Sequence, residues 1–146
     1  MNKGSKLIDN LINFNSKERF YLVRQILGNL KFVPDPAFME ELSQVLHLDV
    51  PKTIPFSAMD YHLDWLYASL VISEQNDIND KVFNRDNIIK AQQEDLDFIL
   101  AYGCHIVLIE AKGVTGWTNK QMKSKADRLR EIFGDDALLS KIILPT

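Results

Sequence analysis

Asp97, Glu110 and Lys112 lie close together in the 146-residue chain, and their types and spacing suit metal-assisted chemistry. They sit in the segment Glu94 to Gly113, where two apolar runs flank Gly103-Cys104 and each run carries acidic residues at its outer end. Charged groups on otherwise buried strands are expensive to desolvate unless they are paired or metal-bound. Two carboxylates pressed together repel, and a divalent cation between them turns that repulsion into binding. Mg2+ suits such a pair, because it is a hard ion that takes one or two carboxylates together with waters and phosphate oxygens. A lysine two residues beyond the glutamate would stand beside the cation, placed to stabilise charge developing at phosphorus or to orient an attacking water. The plainer reading of the same residues is a surface salt bridge of Asp95 or Glu110 with Lys112 at a sheet edge.

Two short strands must position this trio. Residues 96–102 and 105–111 are rich in aliphatic and aromatic side chains, and Gly103-Cys104 between them fits a two-residue type II′ loop with Gly first. That loop predicts a register in which Tyr102 faces His105, Leu100 faces Val107, Phe98 faces Ile109 and Asp97 faces Glu110. Directly opposed Cβ atoms lie about 4.5–5.5 Å apart. Side chains alternate faces along a strand, so Asp95, Asp97, Glu110 and Lys112 are expected on one side of the hairpin.

In this arrangement the stretch resembles the PD-(D/E)XK nuclease superfamily, the restriction-endonuclease-like fold that includes archaeal-type Holliday junction resolvases. Asp95-Leu-Asp97 looks like the acidic start of the family's second core strand, and Ile109-Glu-Ala-Lys112-Gly113 looks like its (I/V)-E-x-K motif. The resemblance covers residues 94–113 in motif detail and 56–146 in element order. It implies an α/β fold with a central mixed sheet of about four strands flanked by helices. It also implies hydrolysis of DNA phosphodiester bonds with Mg2+ or Mn2+ as cofactor. Asp97, Glu110 and Lys112 would then be the catalytic set, Asp97 and Glu110 the metal ligands, and the Ala111 carbonyl a third ligand.

Superfamily members often draw a further acid from the helix before the core sheet, a role that falls here to Asp64. The competing reading of Asp64 is a helix-surface acid favoured by the N-terminal dipole. The helix after the motif often brings a Gln or Lys to the scissile phosphate, which implicates Gln121 and Lys125. Nucleases of this class often dimerise, so a homodimer joins DNA among the implied partners. Some members have lost catalysis, and a non-catalytic nucleic-acid-binding or regulatory module on the same fold is the alternative.

Length and composition set the frame. A chain of this size reads as one domain, residues 1–146, able to bury about two-thirds of its unfolded surface. A helical extension over residues 1–50 precedes the nuclease-like core over 56–146. No run approaches a membrane span, the start lacks a signal-peptide pattern, and the single Cys104 suits a reducing cytoplasm. Cys104 could act as a nucleophile, but nothing nearby in sequence forms a clear base dyad with it. The net charge of −3 argues mildly against nucleic-acid binding by the whole chain. Its distribution points the other way, since Lys112, Lys120, Lys123, Lys125, Arg128 and Arg130 face a single acid, Asp127, between residues 111 and 130. Local potential governs contact with a phosphate backbone, so Lys120 and Arg128 join the candidate substrate contacts. A solvated helix face is the ordinary alternative.

The remaining pattern is mostly helical. Apolar stripes predict helix within residues 5–28, interrupted near residues 13–16, and Asp35-Pro36 opens another over 36–47. Ser57-Ala-Met-Asp60 reads as a capping box for a buried helix from Asp60 to about Ile72, with His62 a packed or solvent-facing histidine. Residues 73–93 are polar, with a short strand expected near 81–83 or 88–89 in a mobile substrate-contacting loop. Thr118 opens a helix to about Phe133, closed by Gly134, with Trp117 packed at its start or stacked on a base. Residues 141–144 read as a last core strand.

Overall fold

The computed structural model describes residues 3–14, 28, 32–75, 81–91, 94–111 and 119–134. In chain order these form α1 (Lys3–Phe14), α2 (Pro36–Leu46), β1 (Phe56–His62), α3 (Leu63–Glu74), β2 (Asp95–Tyr102), β3 (His105–Ile109) and α4 (Asn119–Phe133). The architecture is mixed α and β, with four helices and an antiparallel sheet in the order β1-β2-β3 among the described residues. The expected strand at 141–144, residues 15–27 of the first helical stretch, Thr118 and Trp117 lie outside the described residues.

The sheet separates two cores. Ile99 and Ala101 of β2 and Ile106 and Leu108 of β3 pack with α1, α3 and the Leu129, Ile132 and Phe133 face of α4. Leu100, Tyr102, Val107 and Ile109 turn to the other side, against Met39 and Leu42 of α2 and against Val50. Period-two alternation thus buries both faces of the hairpin. Leu11 is fully buried in the first core and Met39 nearly so in the second. The N-terminal helices therefore complete the cores, and they are more than a decoration on a finished sheet. Full burial of one such side chain contributes about 1.5–3 kcal/mol.

Local chemistry explains two helix boundaries. Asp35 caps α2 by accepting from Ala37 N–H at 2.8 Å, with Pro36 at the first helical position, where its missing N–H does no harm. Gly134 ends α4 at φ +80°, its N–H donating to the Arg130 carbonyl at 2.8 Å.

Residues 56–62 depart from the sequence reading. They form a strand, and α3 begins only at Leu63. Ser57 is not a helix cap; that role belongs to His62, whose Nδ1 accepts from Asp64 N–H at 3.2 Å. The strand prevails because Phe56, Ala58 and Tyr61 all enter the first core and β1 pairs with β2 from Phe56–Ala101 to His62–Asp95. Asp60 adopts φ +49°, and pairing resumes at Tyr61–Leu96 on the same register. Alternation breaks at this row, since Tyr61 and Leu96 point into the core that Ala58 and Ile99 already occupy.

Residues 81–91 contain no strand. They are held by side chains instead. Asn84 exchanges hydrogen bonds with the backbone of Ile89, at 2.8 and 3.0 Å.

Candidate functional site at the end of the hairpin

The β2–β3 hairpin adopts the expected register, with Tyr102 on His105, Leu100 on Val107 and Phe98 on Ile109. Gly103 sits at φ +54° while Cys104 keeps a negative φ, the combination a type II′ loop requires. Beyond the last recorded pair, one further step places Asp97 opposite Glu110. There the Ala111 N–H donates to Asp97 Oδ2 at 2.8 Å, so the carboxylate closes the end of the ladder.

Glu110 has a different partner. Its Oε1 accepts from the Lys125 ammonium of α4, in an ion pair whose side chains are 24% and 20% exposed respectively. Its Oε2 is buried and has no hydrogen-bond partner among the described residues. A buried acceptor without a donor is costly, and it is also a ready oxygen for a cation. β1 adds a residue that the sequence reading placed elsewhere. The pairs Met59–Phe98 and Tyr61–Leu96 bracket Asp60 opposite Asp97, so three acids occupy one row across the sheet. Ser57-x-x-Asp60 had suggested a helical cap, and the pairing with β2 that makes these residues a strand is a tertiary contact.

The other candidate residues separate from this row. Asp64 is buried, and its carboxylate is occupied. Arg128 donates to Oδ1, the Lys90 N–H approaches Oδ1 at 3.4 Å, and the Ala91 N–H donates to Oδ2 at 2.8 Å. Arg128 is itself only 4% exposed and also donates to the Ile88 carbonyl and, at 3.0 Å, to Glu131. The residue expected to face substrate is instead an internal strut between α4, α3 and the 88–91 segment. The dipole-favoured reading of Asp64 thus describes its position in the first turn of α3, although a buried arginine, not solvent, receives its charge.

Lys112 lies outside the described residues, and Lys120 and Gln121 are described only as helical backbone of α4. Asp95 stands opposite His62 at the far end of the β1–β2 ladder. His62, as a helix cap beside Trp65, matches the packed reading. Cys104 is exposed at the hairpin tip, next to the stacked rings of Tyr102 and His105 at 5.0 Å.

No group of three or more His, Cys, Asp or Glu side chains among the described residues is arranged to hold a metal ion. The donors present are two hard carboxylates, Asp97 and Glu110, one with a buried open oxygen. Mg2+ uses one or two carboxylates and completes its shell with water and phosphate oxygens, so the pair fits that ion in donor type and number. No described helix is long and apolar enough to cross a membrane. Comparison of the chain with protein-family models, with curated proteins and with solved structures gave no match.

Proposed function

We propose that the protein is a divalent-metal-dependent nuclease of the PD-(D/E)XK type that hydrolyses phosphodiester bonds in DNA. The observation that carries this reading is the hairpin register, which sets Asp97 against Glu110 and leaves Glu110 Oε2 as a buried acceptor. Asp97 and Glu110 would hold Mg2+ or Mn2+, with the Ala111 carbonyl beside them. The ion would supply Lewis-acid polarisation and a more acidic bound water. Lys112, two residues along from Glu110, stabilises the charge that develops on the phosphoryl oxygens. Lys120, Gln121 and Lys125, all residues of α4, would be the contacts to the phosphate backbone. The single exposed cysteine suits a cytoplasmic setting, and a homodimer would allow both strands of a duplex to be cut.

A second reading has its own support. Asp97 and Glu110 each already engage a protein donor, and no three-ligand group exists among the described residues. That pattern favours a non-catalytic nucleic-acid-binding or regulatory module on the same scaffold. Incubation with supercoiled plasmid, branched DNA and RNA in Mn2+ separates the two. The nuclease reading expects cleavage by wild type and none by Lys112→Ala; a wild type as inert as that variant on every substrate favours the binding module.

A further inference from the structure

We propose that Lys125 is an internal counter-cation of the carboxylate pair: it occupies Glu110 in the metal-free protein and has to leave before a divalent ion can take both oxygens of that carboxylate. The inference deepens the metal-dependent reading and rests on it.

Glu110 is half-buried opposite a second acid, so in the metal-free protein its charge needs an opposite charge nearby. α4 supplies one, with the Lys125 Nζ on Oε1 while Oε2 stays open. A divalent ion on Oε2 would put two cationic centres on one carboxylate, so lysine and metal compete for the same negative charge.

The two basic residues on this stretch of α4 differ in how freely they can respond. Arg128 is locked by three partners in a buried pocket, and Leu129, Ile132 and Phe133 seat the helix on the core. The helix is therefore held in place. Lys125 has a single recorded partner, a partly exposed side chain and a flexible four-carbon stem. It can swing away without any backbone movement. A lysine so displaced stays beside the hairpin end, where a phosphate oxygen offers it a new anionic partner. The ammonium would thus be transferred from Glu110 to substrate as the metal site fills.

Mn2+ affinity measured by calorimetry or electron paramagnetic resonance, without DNA, tests the proposal independently of cleavage. Removing a competing charge-assisted hydrogen bond should tighten Mn2+ binding by about tenfold in Lys125→Met. Lys123→Met deletes the same charge from an exposed position on the same helix and should change affinity far less. Lys125→Arg should remain near wild type. Thermal unfolding in EDTA establishes that each variant is folded, and added Mn2+ should raise the melting temperature of Lys125→Met more than that of wild type. Equal Mn2+ affinity in wild type and Lys125→Met, or an equal gain in Lys123→Met, overturns the competition while leaving the metal site standing. Absence of Mn2+ binding in every variant overturns the metal site and the competition together.

Discussion

Two of the ion pairs that tie helix α4 to the rest of the molecule are built on different principles. Arg128 and Asp64 are both buried, and nearly every polar atom they bring is matched by Glu131, the Ile88 carbonyl or the amides of Lys90 and Ala91. Lys125 and Glu110, one turn of helix away, are partly exposed and leave one carboxylate oxygen without a donor among the described residues. A buried pair persists only when its desolvation is offset by further hydrogen bonds, and Asp64 meets that condition. Glu110 keeps spare capacity. One pair is a structural strut, and the other leaves an acceptor open among the described residues.

Removing the arginine is the strongest way to break this contrast. Arg128→Met leaves Asp64 buried without its cation and should cost about 3–5 kcal/mol, measured by urea unfolding. Amide exchange at Lys90 and Ala91 should accelerate, because the Ile88 carbonyl loses its donor and the segment its anchor. Adding Asp64→Leu should recover part of the loss, since no unpaired charge remains inside. A loss below about 1 kcal/mol would place the pair among ordinary surface bridges and dissolve the distinction.

Glu110→Gln probes the other pair and should act on activity more than on folding. Stability should change by no more than about 0.5 kcal/mol, because the amide oxygen can still accept from Lys125. Cleavage in Mn2+ should fall by at least about a hundredfold. If the variant unfolds as readily as Arg128→Met, Glu110 belongs to the scaffold and not to a site.

These two regions were also unequally legible from sequence. The hairpin is local: Gly103 fixes the loop, the loop fixes the register, and the opposition of Asp97 and Glu110 follows within 14 residues. The same holds for the Asp35-Pro36 start of α2 and the Gly134 stop of α4. The Asp64–Arg128 strut spans 64 residues of chain, and nothing in the local pattern joins its two ends. Strand β1 was hidden for a related reason. Its pairing partner begins more than 30 residues later in the chain, and Ser57-x-x-Asp60 imitates a helix cap. Burial against α1 and β2 decided between the two, and that information is tertiary.

Tyr61 offers a smaller test, on the core face of the strand that sequence missed. It is fully buried, its hydroxyl donates to the Leu11 carbonyl at 2.9 Å, and burial pushes its pKa well above the usual tyrosine range. A group whose folded pKa is raised stabilises fully below its unfolded value, about 10 for tyrosine, and loses that contribution as pH rises further. Wild type should therefore weaken above that pH. Tyr61→Phe should be less stable by about 1 kcal/mol at neutral pH and should show a flatter alkaline decline. An unchanged alkaline decline in the variant would assign the effect to other groups.

The smallest effect is expected where the strut reaches solvent. Glu131 is exposed, and hydrogen bonds from Lys90 first and Arg128 second hold its carboxyl below the usual glutamate range. A lowered folded pKa means that the contribution exists above the unfolded value, about 4.3, and disappears as pH falls through the folded one. Urea midpoints of wild type and Glu131→Gln should differ slightly at pH 7 and converge in acid, because the carboxyl is then neutral in both states of the wild type. A difference that persists unchanged at low pH would mean that Glu131 acts through packing and not through charge. The strut would then end at Arg128, with Lys90 bound to the rim by contacts other than its ion pair.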